Sequence, residues 1–142
     1  MSRNAVYDAV LALGQAVTPG GAGTALGETG RRLKDPTQCQ MPALFQVEPD
    51  ERVKSHLGQM AKRELGVVWI IYHEAGKDQS ATPARYTADL MDRVDAALAA
   101  PVFRQSLGGQ AYAAFIDGQI RKWEGDDDGI TIITVPINIL LP

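Results

Sequence analysis

Apolar residues recur along this chain with two periods, one helical and one of strand type. Val6, Val10, Leu13 and Val17 stand at i, i+4, i+7 and i+11, one stripe on a helix. Ala5, Ala9, Ala12 and Ala16 broaden that stripe and keep it thin, so that another surface can approach closely. Gly14 weakens the helix and Thr18-Pro19-Gly20-Gly21 ends it, which predicts a helix over about residues 3–17. A second helix is signalled more strongly. Thr82 suits the N-cap and Pro83 the first turn, and Tyr86, Leu90, Val94, Ala97 and Leu98 form its apolar stripe. Arg85, Asp89 and Arg93 are spaced for i,i+4 pairs on the opposite side, and Pro101 ends the helix near Ala99. Such a helix is built to cover one face of a sheet.

The strand signals lie between and after the helices. Residues 18–30 read as a Gly-rich loop, with Gly20, Gly21, Gly23, Gly27 and Gly30. Arg31-Arg32-Leu33-Lys34 reads as a short polar strand ended by Asp35-Pro36, and Ala43–Val47 as a second, stopped by Pro49-Asp50. The stretch from Gln59 to Glu74 is long, and its Val67–Tyr72 run is apolar on both faces, so it is central or covered on both sides. Tyr112–Glu124 reads as one strand, Gly125–Gly129 as an acidic hairpin turn, and Ile130–Leu140 as the last strand. Ile133, Val135, Ile137, Ile139 and Leu141 make one unbroken apolar face there; Ile132, Thr134, Pro136 and Asn138 line the other. Pro136 has no N–H to give a ladder and marks an edge or a bulge. The expected fold class is α+β: a single domain over 1–142, a mostly antiparallel sheet with two α-helices on one face.

Composition narrows the function classes. One cysteine, Cys39, permits neither an intrachain disulfide nor a Cys-based zinc cage. With 14 Lys+Arg against 17 Asp+Glu, the net charge of −3 argues against a protein that grips nucleic acid through a basic face. Met1-Ser2-Arg3-Asn4 leads into an amphipathic helix rather than a signal-type apolar block, and Val67–Tyr72 falls far short of a bilayer span. The expectation is a soluble protein of a reducing compartment.

The chemistry-bearing motifs are sparse. Gly21-Ala22-Gly23 follows a helix rather than a strand, so it lacks the context of a dinucleotide site. His73, Glu74 and Asp78 are the one set that suggests metal or acid–base work, without a known ligand spacing; the plain reading of His73 is a strand-end residue near solvent. Cys39 sits among Thr37, Gln38, Gln40 and Met41 with no partner that would activate it. Asp126, Asp127 and Asp128 lack calcium-loop spacing and read as a solvated hairpin tip. Arg31, Arg32 and Lys34 form the densest basic cluster beside Lys62-Arg63 and Arg121-Lys122, too little for a nucleic-acid platform. Phe45 and Trp69 read as core. No catalytic constellation and no cofactor are expected. What stands out is apolar β-surface beyond what two helices on one side can cover, and a second copy of the chain is the simplest occupant of the other side.

Taken in order, these features resemble the small tail terminator (tail completion) proteins of long-tailed bacteriophages and phage-like particles. The matching elements are the amphipathic first helix, Gly30-Arg31-Arg32-Leu33, Met41-Pro42-Ala43-Leu44-Phe45-Gln46 and the Trp69 strand. They continue through the Pro83-led helix, Leu107-Gly108-Gly109 feeding Ile116-Asp117-Gly118-Gln119-Ile120, and the terminal Ile133–Ile139 strand. The resemblance implies a non-enzymatic virion subunit of the tail–neck region, assembled in the host cytoplasm. It implies a self-assembled ring, hexameric in the family, that caps the tail tube and meets both the tube protein and the head-side connector. Genomic DNA passes through its lumen unread. Arg31, Arg32, Lys34, Ile132, Pro136, Asp126, Asp127 and Asp128 are then the candidate interface residues. The alternatives are another neck ring, a head-completion or connector subunit, or a small metal- or ligand-binding enzyme using His73, Glu74 and Asp78.

Overall fold

The structure is a computed structural model that describes residues 2–17, 26–55, 57–58, 62–74, 83–98, 107–109, 111–124 and 130–141. Helix α1 runs Arg3–Gln15, and the Ser2 hydroxyl caps it by accepting from the Ala5 N–H at 3.2 Å. Val6, Val10 and Val17 of its stripe are buried, as the spacing predicts, but Ala5, Ala12 and Ala16 are exposed. The buried side widens instead toward Tyr7 and Gly14. Gly14 is the residue that permits close approach. A Cβ there would lie 2.9 Å from Leu44 Cδ2 and 3.3 Å from the Trp69 ring.

Six strands follow: β1 Glu28–Gly30, β2 Ala43–Lys54, β3 Lys62–Glu74, β4 Ala113–Ile116, β5 Arg121–Glu124 and β6 Ile130–Leu140, with helix α2 at Pro83–Leu98. The sheet order is β1-β2-β3-β6-β4, and β5 also pairs with β6. Among the described residues only β1–β2 is parallel. The fold is thus a single α+β domain with a mostly antiparallel sheet. Val6 and Val10 of α1 and Leu90, Val94 and Leu98 of α2 share one buried cluster with Leu44, Trp69, Ile71, Val135 and Ile137. Both helices therefore cover the same sheet face.

Three strand boundaries differ from expectation. The first strand is Glu28–Gly30, inside the expected loop, and Arg31–Lys34 is not a strand. By leaving the sheet, Arg31 reaches Glu48 Oε1 at 2.6 Å, and Asn4 Oδ1 and Asp8 Oδ1 both at 3.1 Å. Next, β2 continues through Pro49. The register shifts between Val47 and Asp50, and this bulge places Pro49 where no ladder N–H is required. The third difference is the break of Tyr112–Glu124 into β4 and β5. Ile116 pairs with Ile137 and Arg121 with Thr134, so four residues bulge opposite Val135 and Pro136. The Asp117 N–H donates to the Pro136 carbonyl at 3.1 Å. In an antiparallel strand a residue's N–H and C=O point to the same neighbour, so the donor that Pro136 lacks falls on this broken side. Gly118, with φ +120°, packs there, and a Cβ would meet Pro136 Cγ at 3.1 Å.

Thr82, residues 18–25 and the 125–129 turn lie outside the described residues.

Candidate functional site

Strand alternation sorts β3 and β6 into two faces. Val67, Trp69, Ile71, Ile133, Val135, Ile137 and Ile139 are buried beneath the helices. Val68, Ile70, Ile132, Thr134, Pro136 and Asn138 point the other way and are half-buried. Cross-strand pairing extends this second face in rows: Phe45–Ile70–Thr134–Arg121 and Ala43–Tyr72–Ile132–Trp123. Neither α1 nor α2 lies on it.

The chain itself covers one end of this face. Ala43, Phe45 and Tyr72 form a second buried cluster against which Cys39, Met41, Ile70 and Ile132 pack. The Phe45 and Tyr72 rings meet edge-on, with centroids 5.9 Å apart. So Phe45 is core, as expected, but not the same core as Trp69. Cys39 and Met41 thus take up part of the apolar surface that the two helices leave uncovered. The opposite end is open. There a groove of about 640 Å³ is lined by Val68, Pro136, Asp50, Glu64 and Asp117, together with Arg52 and Val53 of β2. Gly66 keeps it open at the β2 side: a Cβ would crowd Asp50 Cβ at 3.1 Å.

The expected interface residues are not gathered at one place. Ile132 and Pro136 do share the second sheet face, Ile132 at its covered end and Pro136 at its open end. Arg31 is tied into its own fold, bonded to Glu48, Asn4 and Asp8 and stacked 5.2 Å over the Tyr7 ring. Lys34 pairs with Glu28 at 2.7 Å. Arg32 is exposed. Asp126, Asp127 and Asp128 lie outside the described residues.

The acid–base set does not assemble among the described residues. His73 is buried on the helix-covered face, opposite Thr131, so its plain reading as a residue near solvent is corrected. Glu74, next along the strand, points to the other face and is exposed, and Asp78 is outside the described residues. Burial holds the His73 imidazole below its ordinary value, with Glu74 opposing in part. Burial, and then the Glu28 carboxylate, push the Cys39 thiol up, the opposite of what a nucleophile needs. No group of three His, Cys, Asp or Glu side chains is placed to hold a metal among the described residues.

One surface was not legible in the sequence. The β2–β3 hairpin places Lys54 directly opposite Lys62 and Arg52 opposite Glu64, with Val53 and Leu57 exposed. Lys62-Arg63 showed as an isolated basic pair; only the register brings Arg52 and Lys54 beside it.

No family model matches this chain, and no curated protein matches it. Among solved structures, a chain in the virion of a native gene transfer agent (GTA) particle overlaps with a TM-score of 0.46 at 8% identity, covering 81% of this chain and 78% of that one. An overlap at this level transfers no function.

Proposed function

We propose that this protein is a structural subunit of a phage or phage-like virion that assembles as a ring, caps the tail tube and joins it to the head-side connector. One observation carries the proposal beside the whole-chain resemblance: the central strands β3 and β6 present a half-buried apolar face on which neither α1 nor α2 lies, Ile70 and Ile132 at the end that Cys39 and Met41 share and Val68 and Pro136 at the open end. A half-buried apolar sheet face that spans neighbouring strands marks an association surface. Self-association through it gives a closed ring when the rotation between copies closes. The ring's other partners are the tube protein beneath and a neck protein above. Genomic DNA passes through without base readout, since the net charge of −3 gives little grip on its backbone.

The test is negative-stain imaging of tail tubes assembled with and without this protein. Tubes that stop growing and end in a ring are expected. Tubes that keep elongating with bare ends, alongside a monomeric protein, overturn the proposal.

A further inference from the structure

Residues 52–63 contain Arg52, Lys54, Lys62 and Arg63 and no Asp or Glu, in a chain of net charge −3; the remainder therefore carries −7. These cations occur on one β-hairpin. Lys54 and Lys62 face each other across the ladder, an arrangement of like charges that destabilises a sheet unless an anion lies over it. Arg63 has an internal partner, Glu51 at 3.4 Å, and Glu51 is also held by Arg3 at 2.6 Å. Lys54 and Lys62 form no ion pair among the described residues. Beyond them Leu57 stands fully exposed. The described residues of the arm thus offer two ammonium groups with no ion pair among the described residues, and one exposed aliphatic side chain.

The groove on the open sheet face offers the complement. Its lining sets the apolar Val68 and Pro136 beside four carboxylates, Asp50, Glu51, Glu64 and Asp117, against the one cation Arg52. Asp50 and Asp117 are exposed and form no ion pair among the described residues. Apolar side chains among carboxylates that outnumber the lining cation fit a basic segment that also bears a large aliphatic side chain.

We propose that the 52–63 hairpin of one copy seats in the open-face groove of a second copy, Lys54 and Lys62 meeting Asp50 and Asp117 while Leu57 lies over Val68 and Pro136. The contact joins two different surfaces, so it is head-to-tail and propagates from copy to copy, as a ring requires. It rests on the ring reading and names the contact that would close the ring.

A charge swap tests it. Lys54→Glu/Lys62→Glu and Asp50→Lys/Asp117→Lys chains are each prepared, and circular dichroism checks that both keep the wild-type fold. All positions are exposed, so both variants fold. Assembly is read by light scattering, with and without tube protein, for the wild type, each variant and their equimolar mixture. Each variant alone is expected to associate tenfold or more weakly than the wild type, and the mixture to regain assembly, because every contact then pairs opposite charges. Variants that assemble like the wild type overturn the hairpin contact and leave the ring standing. Loss in both variants without recovery on mixing also overturns it. Rings that persist in Lys54→Glu/Lys62→Glu while retention on duplex DNA falls assign the arm to DNA instead. A wild type that stays monomeric even with tube protein overturns the ring itself.

Discussion

The indole Nε1–H of Trp69 donates to Gln46 Oε1 at 3.1 Å, and both side chains are fully buried. Gln46 Nε2 in turn donates to the Tyr7 carbonyl at 2.9 Å. One amide therefore ties β2, β3 and α1 together inside the core, with its oxygen and one amide hydrogen satisfied. Removing it orphans the indole N–H, which costs about 1–3 kcal/mol on top of the lost packing. Gln46→Leu is expected to lower stability by about 2 kcal/mol in chemical denaturation, and Trp69→Phe by a similar amount because it orphans the amide oxygen. A neutral Gln46→Leu would show that the link contributes nothing.

Arg31 fastens α1 to β2. Its guanidinium binds Glu48 on one side and Asn4 and Asp8 on the other, over the face of Tyr7. A fork that reaches three acceptors is not replaced by an ammonium group. Arg31→Ala is expected to cost about 1–2 kcal/mol, discounted for the exposure of Asp8, and Arg31→Lys to restore less than half. Urea titrations of both variants measure this, and full rescue by lysine would mean that charge alone matters.

His73 gives the fold a pH dependence of known sign. Burial lowers its folded value below the ordinary 6.5, so the unfolded chain binds the proton more readily. The stability it contributes is therefore complete at neutral pH and is lost as pH falls below about 6.5. Melting temperature should drop between pH 7 and 5.5, less steeply in His73→Gln than in the wild type. Parallel slopes in the two proteins would rule out His73 as the source.

Much of this architecture was legible because it depends on alternation. The buried odd positions from Ile133 to Leu141 follow from simple alternation, and the missing N–H of Pro136 marked an irregular ladder at that point of β6. What escaped was set by tertiary contact. Arg31 leaves the sheet for acceptors contributed by α1 and β2, which no local pattern encodes. The break between β4 and β5 depends on a proline in a different strand, and Gln46 looks like any polar strand residue until Trp69 is opposite it. The candidate site divides the same way. Ile132 and Pro136 shared a face by simple parity, whereas the Lys54–Lys62 pair and the groove exist only through register.

The bulge itself is open to test. Gly118 holds φ +120°, and a Cβ built on it would lie 3.1 Å from Pro136 Cγ. Gly118→Ala adds backbone strain of order 1–3 kcal/mol together with a close contact, and thermal melts should show a loss of several degrees. An unchanged melt would mean that the 117–120 segment can move away from Pro136.

The open face separates folding from assembly. Val68 is half-buried in the groove lining and touches no helix-side core, so Val68→Lys should melt close to the wild type yet fail to assemble. Light scattering beside a thermal melt reads both, and a variant that assembles normally would remove this face from the interface.

The most direct test of the central claim is a cryo-EM reconstruction of the particle's neck. The account predicts this chain as a closed ring at the head-side end of the tail tube, with Val68 and Pro136 buried against a neighbouring subunit. A chain absent from the particle, or a ring whose Val68 and Pro136 face solvent, would contradict it.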